Sequence, residues 1–184
     1  MLIPVRRIVT TDSAEGRSRV LLDGPSPHTV SSGVGRGLTN LWITDPPRPS
    51  NAGTRDAAAR PVKLEPPEGG SIFRFFQVAP EPKPGTLTPE EREARAAAAF
   101  AAMNASHIRV DTTRHPGMHK SRTTDYIILL KGRVRLLLDD EERDLEPFDV
   151  VVQRGTNHAW VNLDDEPALL VAVLLDASDD AGQP

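Results

Sequence analysis

Cysteine is absent from this chain of 184 residues. That excludes disulfides, thiolate nucleophiles and thiolate metal ligands, so any metal must be held by His, Asp or Glu. A concentration of basic charge is lacking too: the net charge is −4, and Lys and Arg are interspersed with Asp and Glu rather than gathered into a stripe. Nucleic acids and anionic membranes are therefore poor partners. The opening MLIPVRRIVT has no apolar leader core, and no apolar run approaches the ~18 residues of a membrane span. A cytoplasmic location is the expectation. No sequence repeat of fixed period is evident, and no GxSxG nucleophile elbow is present. Gly33-Val34-Gly35-Arg36-Gly37 lacks the Lys-Ser/Thr ending of a phosphate-binding loop and reads as a flexible connection.

What is present is mostly strand punctuated by turns. The length suits a single domain over 1–184. Val5 to Thr10, Arg17 to Leu22, Leu38 to Thr44, Pro61 to Leu64 and Ser71 to Val78 read as strands of an N-terminal part, 1–80, that includes a β arm. Thr88-Pro89-Glu90-Glu91 is a helix start: Thr88 caps, Pro89 suits the first turn and Glu91 completes a capping box. The alanine-rich run to Ala105 gives one helix over 88–105. Strand signals then return at Asp125 to Leu130, Val134 to Leu138, Val150 to Gln153, Ala159 to Leu163 and Ala168 to Leu175, so that 107–176 reads as a small antiparallel barrel or sandwich. The last stretch, 177–184, reads as a flexible tail.

The chemistry concentrates in RHPGMHKSRTTDYIILLKG, Arg114 to Gly132. Alternate residues of an extended strand share a face, so His119, Ser121, Thr123, Asp125, Ile127 and Leu129 point one way and Tyr126 the other. By the same rule His158, Trp160 and Asn162 share a face. Two histidines and one carboxylate on neighbouring strands are the donors of a facial triad suited to Fe(II) and serviceable for Mn, Co, Ni or Zn. The alternative is that His119 and His158 hydrogen-bond in a polar pocket. Pro116-Gly117 breaks the phase between His115 and His119, leaving His115 either a fourth ligand or a loop residue at the pocket mouth. His28 and His107 lie outside the constellation.

From His115 to Asn162 the chain resembles the two motifs of the cupin superfamily. The first has the form HxH, three or four residues, Glu, six residues, Gly; the second runs from a Pro-Gly-Asp turn to Pro-x-Gly-x-x-His-x-x-x-Asn. His119 falls where the first histidine belongs, Asp125 stands six residues before Gly132, and Gly155, His158 and Asn162 fit the second motif. Ser121 replaces the second histidine, Asp125 the usual Glu, Phe148 the turn glycine and Gln153 the proline.

The resemblance implies an all-β fold, a cupin-type antiparallel, jelly-roll-like barrel with a pocket at one end. It implies a homodimer in which the N-terminal arm pairs with the partner, while the charge distribution gives no nucleic-acid or membrane partner. It implies one divalent metal ion (Fe, Mn, Zn, Ni or Co) held by His119, Asp125 and His158, with His115 as a further candidate. The function it implies is a metal-dependent enzyme of dioxygenase, decarboxylase, isomerase or lyase type on a small, partly apolar substrate. Trp160, Ile127, Leu129 and Asn162 would line the pocket, with Leu136, Val152 and Val171. Two rivals stand beside this: a metal-free enzyme using His119 and His158 as general acid and base, and a module that binds a small molecule without turnover.

Overall fold

Strand β6, Thr123–Lys131, shows how the sequence builds the molecule. Thr123, Asp125, Ile127 and Leu129 are buried while Tyr126 and Ile128 are exposed, the period-two pattern of a strand with one face on a core. The computed structural model describes residues 1–178; most of the expected tail, 179–184, lies outside them. The strands are β1 (Arg6–Asp12), β2 (Ser18–Pro25), β3 (Thr29–Gly33), β4 (Arg36–Thr44), β5 (Ser71–Val78), β6, β7 (Val134–Leu138), β8 (Glu142–Leu145), β9 (Val150–Arg154), β10 (His158–Asn162) and β11 (Ala168–Asp176). One helix, α1 (Pro89–Ala102), separates β5 from β6.

The strands form a six-stranded sheet in the order β3-β4-β5-β11-β6-β9, a three-stranded sheet β10-β7-β8, and the hairpin β1-β2, which is the N-terminal arm. Every ladder is antiparallel. The two larger sheets face each other across Ile127, Leu129, Val134, Leu136, Leu145, Leu170 and Leu174. This is an all-β fold, built as two facing sheets rather than one closed ladder: beyond the named strands, only single bridges such as His119 with His158 and Pro80 with Asn162 add to the pairing among the described residues.

The capping box of α1 is as the sequence predicts. Glu91 N–H donates to Thr88 Oγ1 at 3.2 Å and Thr88 N–H donates to Glu91 Oε2 at 2.8 Å. The helix stops at Ala102, short of Ala105, because Asn104 turns left-handed with φ 54°. Phe100 and Met103 pin it to Leu38 and Ile108 in a second apolar cluster, over the open end of the two sheets.

Three expectations are corrected. Pro61–Leu64 is not a strand: the carbonyls of Lys63 and Leu64 accept from the guanidinium of Arg74 instead of from a neighbouring strand. The glycine run is not a free loop but the turn of the β3–β4 hairpin, where Gly35 (φ 67°) lies against Pro167. Val152 and Val171 do not line a pocket. They belong to rows on the outer face of the large sheet, Phe73-Val173-Tyr126-Val152 and Phe75-Val171-Ile128-Val150, in which Val152 is 55% exposed.

Phe148 occupies the turn position where the motif has glycine, and its backbone adopts the glycine-favoured conformation, φ 79°, with the ring 80% exposed. A left-handed L-residue costs about 1–2 kcal/mol, while a glycine loses about 0.5–1 kcal/mol of extra chain entropy on folding. Phe148→Gly is therefore expected to stabilise the protein by about 0.5–1 kcal/mol in urea unfolding; a loss of stability would show that the exposed ring makes a contact that matters.

Candidate functional site

His119 and His158 are set side by side by backbone pairing. Each donates its N–H to the other's carbonyl at 2.9 Å, the closed pair of directly opposite residues in an antiparallel ladder. Their rings therefore leave on the same side, with centroids 4.3 Å apart. Each Nδ1 lies 2.9 Å from a carbonyl two residues earlier, Gly117 O for His119 and Thr156 O for His158. A carbonyl only accepts, so Nδ1 carries the proton in both rings and Nε2 presents a lone pair. Neither Nε2 has a hydrogen-bond partner among the described residues.

The rings are walled by aromatics. Phe100 lies 5.0 Å from His119, Trp160 meets His158 edge-on at 5.5 Å, and Phe76 stands 6.1 Å from Trp160. Burial in this setting disfavours the charged imidazolium. It lowers the pKa of His119, and it pushes His158 down to about 3, with the neighbouring His119 adding to the effect. Both rings are neutral at physiological pH.

They open into a cavity of about 140 Å³ whose wall includes Asp125, Ile127, Trp160, Phe76, Arg74 and Ser121. Asp125 is 5% exposed and its Oδ1 has no partner. Burial pushes its carboxyl up to about 6, opposed by the Thr123 hydroxyl and the charge of Arg74. Ser121, standing where the motif has a histidine, hydrogen-bonds Thr123 across 2.7 Å. The cavity meets a broader groove of about 950 Å³ beneath α1, and Arg36, Phe100, His115 and Gly117 line both.

Of the expected site residues, His119, His158, Asp125, Trp160 and Ile127 share this cavity. His115 reaches its mouth, but both its ring nitrogens are engaged: Nδ1 accepts from Gly117 N–H at 3.0 Å and Nε2 faces Glu81 at 3.3 Å, a carboxylate also held by Arg92 at 2.7 Å. Leu129 is not on the wall; it sits deeper, 1% exposed in the main core. Asn162 is also away from the cavity. Its amide donates to the carbonyls of Val78 and Glu166, each at 2.8 Å, and its oxygen accepts from Asp164 N–H at 2.8 Å. It clamps β10 to the end of β5. His28 and His107 pair with Asp56 and Glu65 away from the cavity. Among the described residues, no three His, Asp or Glu side chains converge closely enough to hold a metal ion. The set His119, Asp125 and His158, with or without His115, thus supplies two adjacent nitrogen donors and a carboxylate set apart from them.

Arg74 is the cavity residue that motif reasoning missed. It is 2% exposed, and Nη1 and Nη2 donate to Leu64 O at 2.9 Å and Lys63 O at 2.6 Å while Nε has no partner. Burial lowers its pKa to about 9, so it stays charged at neutral pH. A signal was available: in SIFRFFQV the arginine keeps phase with Ile72, Phe76 and Val78, on the buried side of β5.

Residues 107–174 match the cupin domain family. A cupin-domain-containing oxidoreductase, fogC, of Aspergillus ruber is 36% identical over 66 residues, 34% of this chain and 32% of the relative. The phomopsin biosynthesis cluster protein C' of Diaporthe leptostromiformis is 50% identical over 46 residues, 24% of either chain. The matches thus span a third or less of these curated relatives. A solved cupin 2 conserved barrel domain protein from Salinispora arenicola is 20% identical, with 77% of this chain and 76% of that one covered and a TM-score of 0.40. Among the described residues no helix is long and apolar enough to cross a membrane. The matched segment carries His119, Asp125, Gly132 and His158, and it is over this segment that the chain is similar to the cupin domain family.

Proposed function

We propose that this chain is an enzyme of small-molecule metabolism that moves a proton on a small, largely apolar substrate held in the cavity, with His119 and His158 as the working groups. The observation that carries this reading is the pair of neutral imidazoles, each with Nδ1–H fixed on a carbonyl and Nε2 open to the cavity. One Nε2 takes a proton from the substrate, and the fixed Nδ1–H keeps the resulting imidazolium in place. The second ring, 4.3 Å away, remains neutral and holds the proton close until it returns to another substrate atom. The sum is an isomerisation in which no proton is gained or lost. Phe100, Trp160 and Phe76 stand around the rings and limit the water next to them. That relatives include a cupin-domain-containing oxidoreductase and a biosynthesis cluster protein supports an enzyme over a passive binder.

A second reading draws on the same nitrogens. Fixing Nδ1 on a carbonyl is also how proteins aim a histidine at a metal, and a divalent ion bound to His119 and His158 would supply Lewis-acid or redox chemistry. The donors fit such an ion only as a pair, since Asp125 does not converge with them.

The test is a substrate screen with untagged protein, in chelator and after reconstitution with each divalent metal. Turnover is expected to persist in chelator and to fall by about 10²–10⁴-fold in His119→Ala and in His158→Ala. Turnover that requires a stoichiometric ion, lost with that ion in both variants, would establish the second reading instead. Unchanged turnover in both variants would remove the histidines from the chemistry altogether.

A further inference from the structure

Two buried polar atoms of opposite hydrogen-bonding sense are left without partners on one stretch of the cavity wall: the Nε–H of Arg74, a donor, and Oδ1 of Asp125, an acceptor. Each belongs to a side chain at least nine-tenths buried, where an unmade hydrogen bond to a charged group is costly. They do not meet as an ion pair. Arg74 on β5 pairs with Ala172 on β11, which pairs with Ile127 on β6, and Asp125 is the next inward position of β6, opposite Leu174. Two strand spacings of about 4.8 Å each therefore separate the backbones that carry them. The residue between is Ala172, whose methyl leaves the space above it to the cavity.

We propose that this gap is the polar subsite of the cavity, and that it takes a neutral group able to accept from Arg74 Nε–H and donate to Asp125 Oδ1: a hydroxyl or a carboxamide borne on an otherwise apolar, single-ring-sized molecule. The proposal rests on the proton-transfer reading for its relevance to turnover, and names the class of substrate. The cation and the carboxylate offset each other, so the site favours no net charge. A carboxylate ligand would satisfy Arg74 but be repelled by Asp125 and have no proton to give it. An ammonium would face the reverse. The wall also includes Ile127, Phe76, Trp160 and Leu174, apolar surface that suits an apolar body, and an apolar cavity of about 150 Å³ admits a molecule of the size of benzene.

The experiment compares four probes of one shape, phenol, benzamide, benzoate and benzene, by ligand-observed NMR and calorimetry on the full chain. Phenol and benzamide are expected to bind about tenfold or more tightly than benzene and benzoate. In the double variant Arg74→Met/Asp125→Leu that preference should vanish, with benzene gaining on phenol, and circular dichroism checks that the variant is folded. Benzene equal to phenol in the wild type, benzoate tightest of the four, or no binding by any probe would each overturn the proposal, whether or not the double variant folds. Because the probes need no turnover, the two readings fail separately. A missing phenol preference beside histidine variants that lose turnover removes only this subsite, whereas a clear preference beside unaffected turnover removes only the proton-transfer role.

Discussion

Arg74→Met is expected to cost about 3–5 kcal/mol, the range for removing one partner of a buried charge arrangement. Methionine fills much of the same volume, so the loss is mostly polar. Two carbonyls, of Lys63 and Leu64, are left without their donors. Asp125 also loses the charge that helps hold its carboxyl at about 6 rather than higher. Against a total of about 5–15 kcal/mol for a domain, this approaches or exceeds a third of the stability. Arg74→Lys would not rescue it, since a single ammonium cannot reproduce the planar fork that serves two carbonyls at once. Replacing both residues, Arg74→Met with Asp125→Leu, removes the uncompensated buried carboxylate and should recover the part of the deficit that comes from it, while the carbonyls of Lys63 and Leu64 stay without their donors. Urea unfolding of the two variants decides the matter: a single-variant cost below about 1 kcal/mol would mean that Arg74 is not structurally coupled to its surroundings.

Acid should destabilise the protein through its histidines, and the sign can be worked out from the shifts. His158 titrates near 6.5 when unfolded and at about 3 when folded. As pH falls below 6.5 the unfolded chain binds a proton that the folded chain refuses. Stability is then lost at about 1.4 kcal/mol per pH unit, and over the whole window the loss is on the order of 5 kcal/mol. His119, lowered by burial as well, adds loss in the upper part of the window. Asp125 acts in the opposite direction. Its folded carboxyl, at about 6 against 3.8 unfolded, takes up a proton first and regains stability as pH falls from 6 to 3.8. In that interval the gain from Asp125 offsets the loss from His158. Below 3.8 His158 acts alone. The measurement is the difference in unfolding free energy between wild type and His158→Gln as a function of pH. The difference should shift in favour of the variant progressively from pH 6.5 to about 3. A flat difference would mean that His158 is not buried in its neutral form.

Each histidine was legible because it sits in a local pattern, while what joined the two was the resemblance of the two motifs. His119 and Asp125 keep strand phase, His158 and Trp160 keep strand phase, and the capping box at Thr88 and Glu91 is a contiguous signal. What failed to show were depths and non-local registers. Ile127 and Leu129 share a face, yet one reaches the cavity and the other the core, because position along the strand relative to the open end decides which. Val150-Val151-Val152 and Leu169-Leu170-Val171 are unbroken apolar runs, and a run without alternation carries no information about which face is inward. That is why Val152 and Val171 were placed on the wrong side. The four-residue strand β8, Glu-Arg-Asp-Leu, is almost wholly charged and has no apolar phase to detect. Arg74 meets the site only through the antiparallel register of β5 with β11 and of β11 with β6, a fact that no window of sequence contains.

The cavity is shared between two stretches of the chain, and this bears on how such a protein could be altered. Residues 107–174 bring the two histidines, Asp125, Trp160 and Ala172, whereas Arg74, Phe76, Arg36 and Phe100 come from the part before it. Grafting the first stretch onto another scaffold would carry the histidine pair and Asp125 without part of the walls that surround them. Changes confined to β4, β5 and α1 would do the opposite, reshaping the cavity while leaving the histidine pair where it stands.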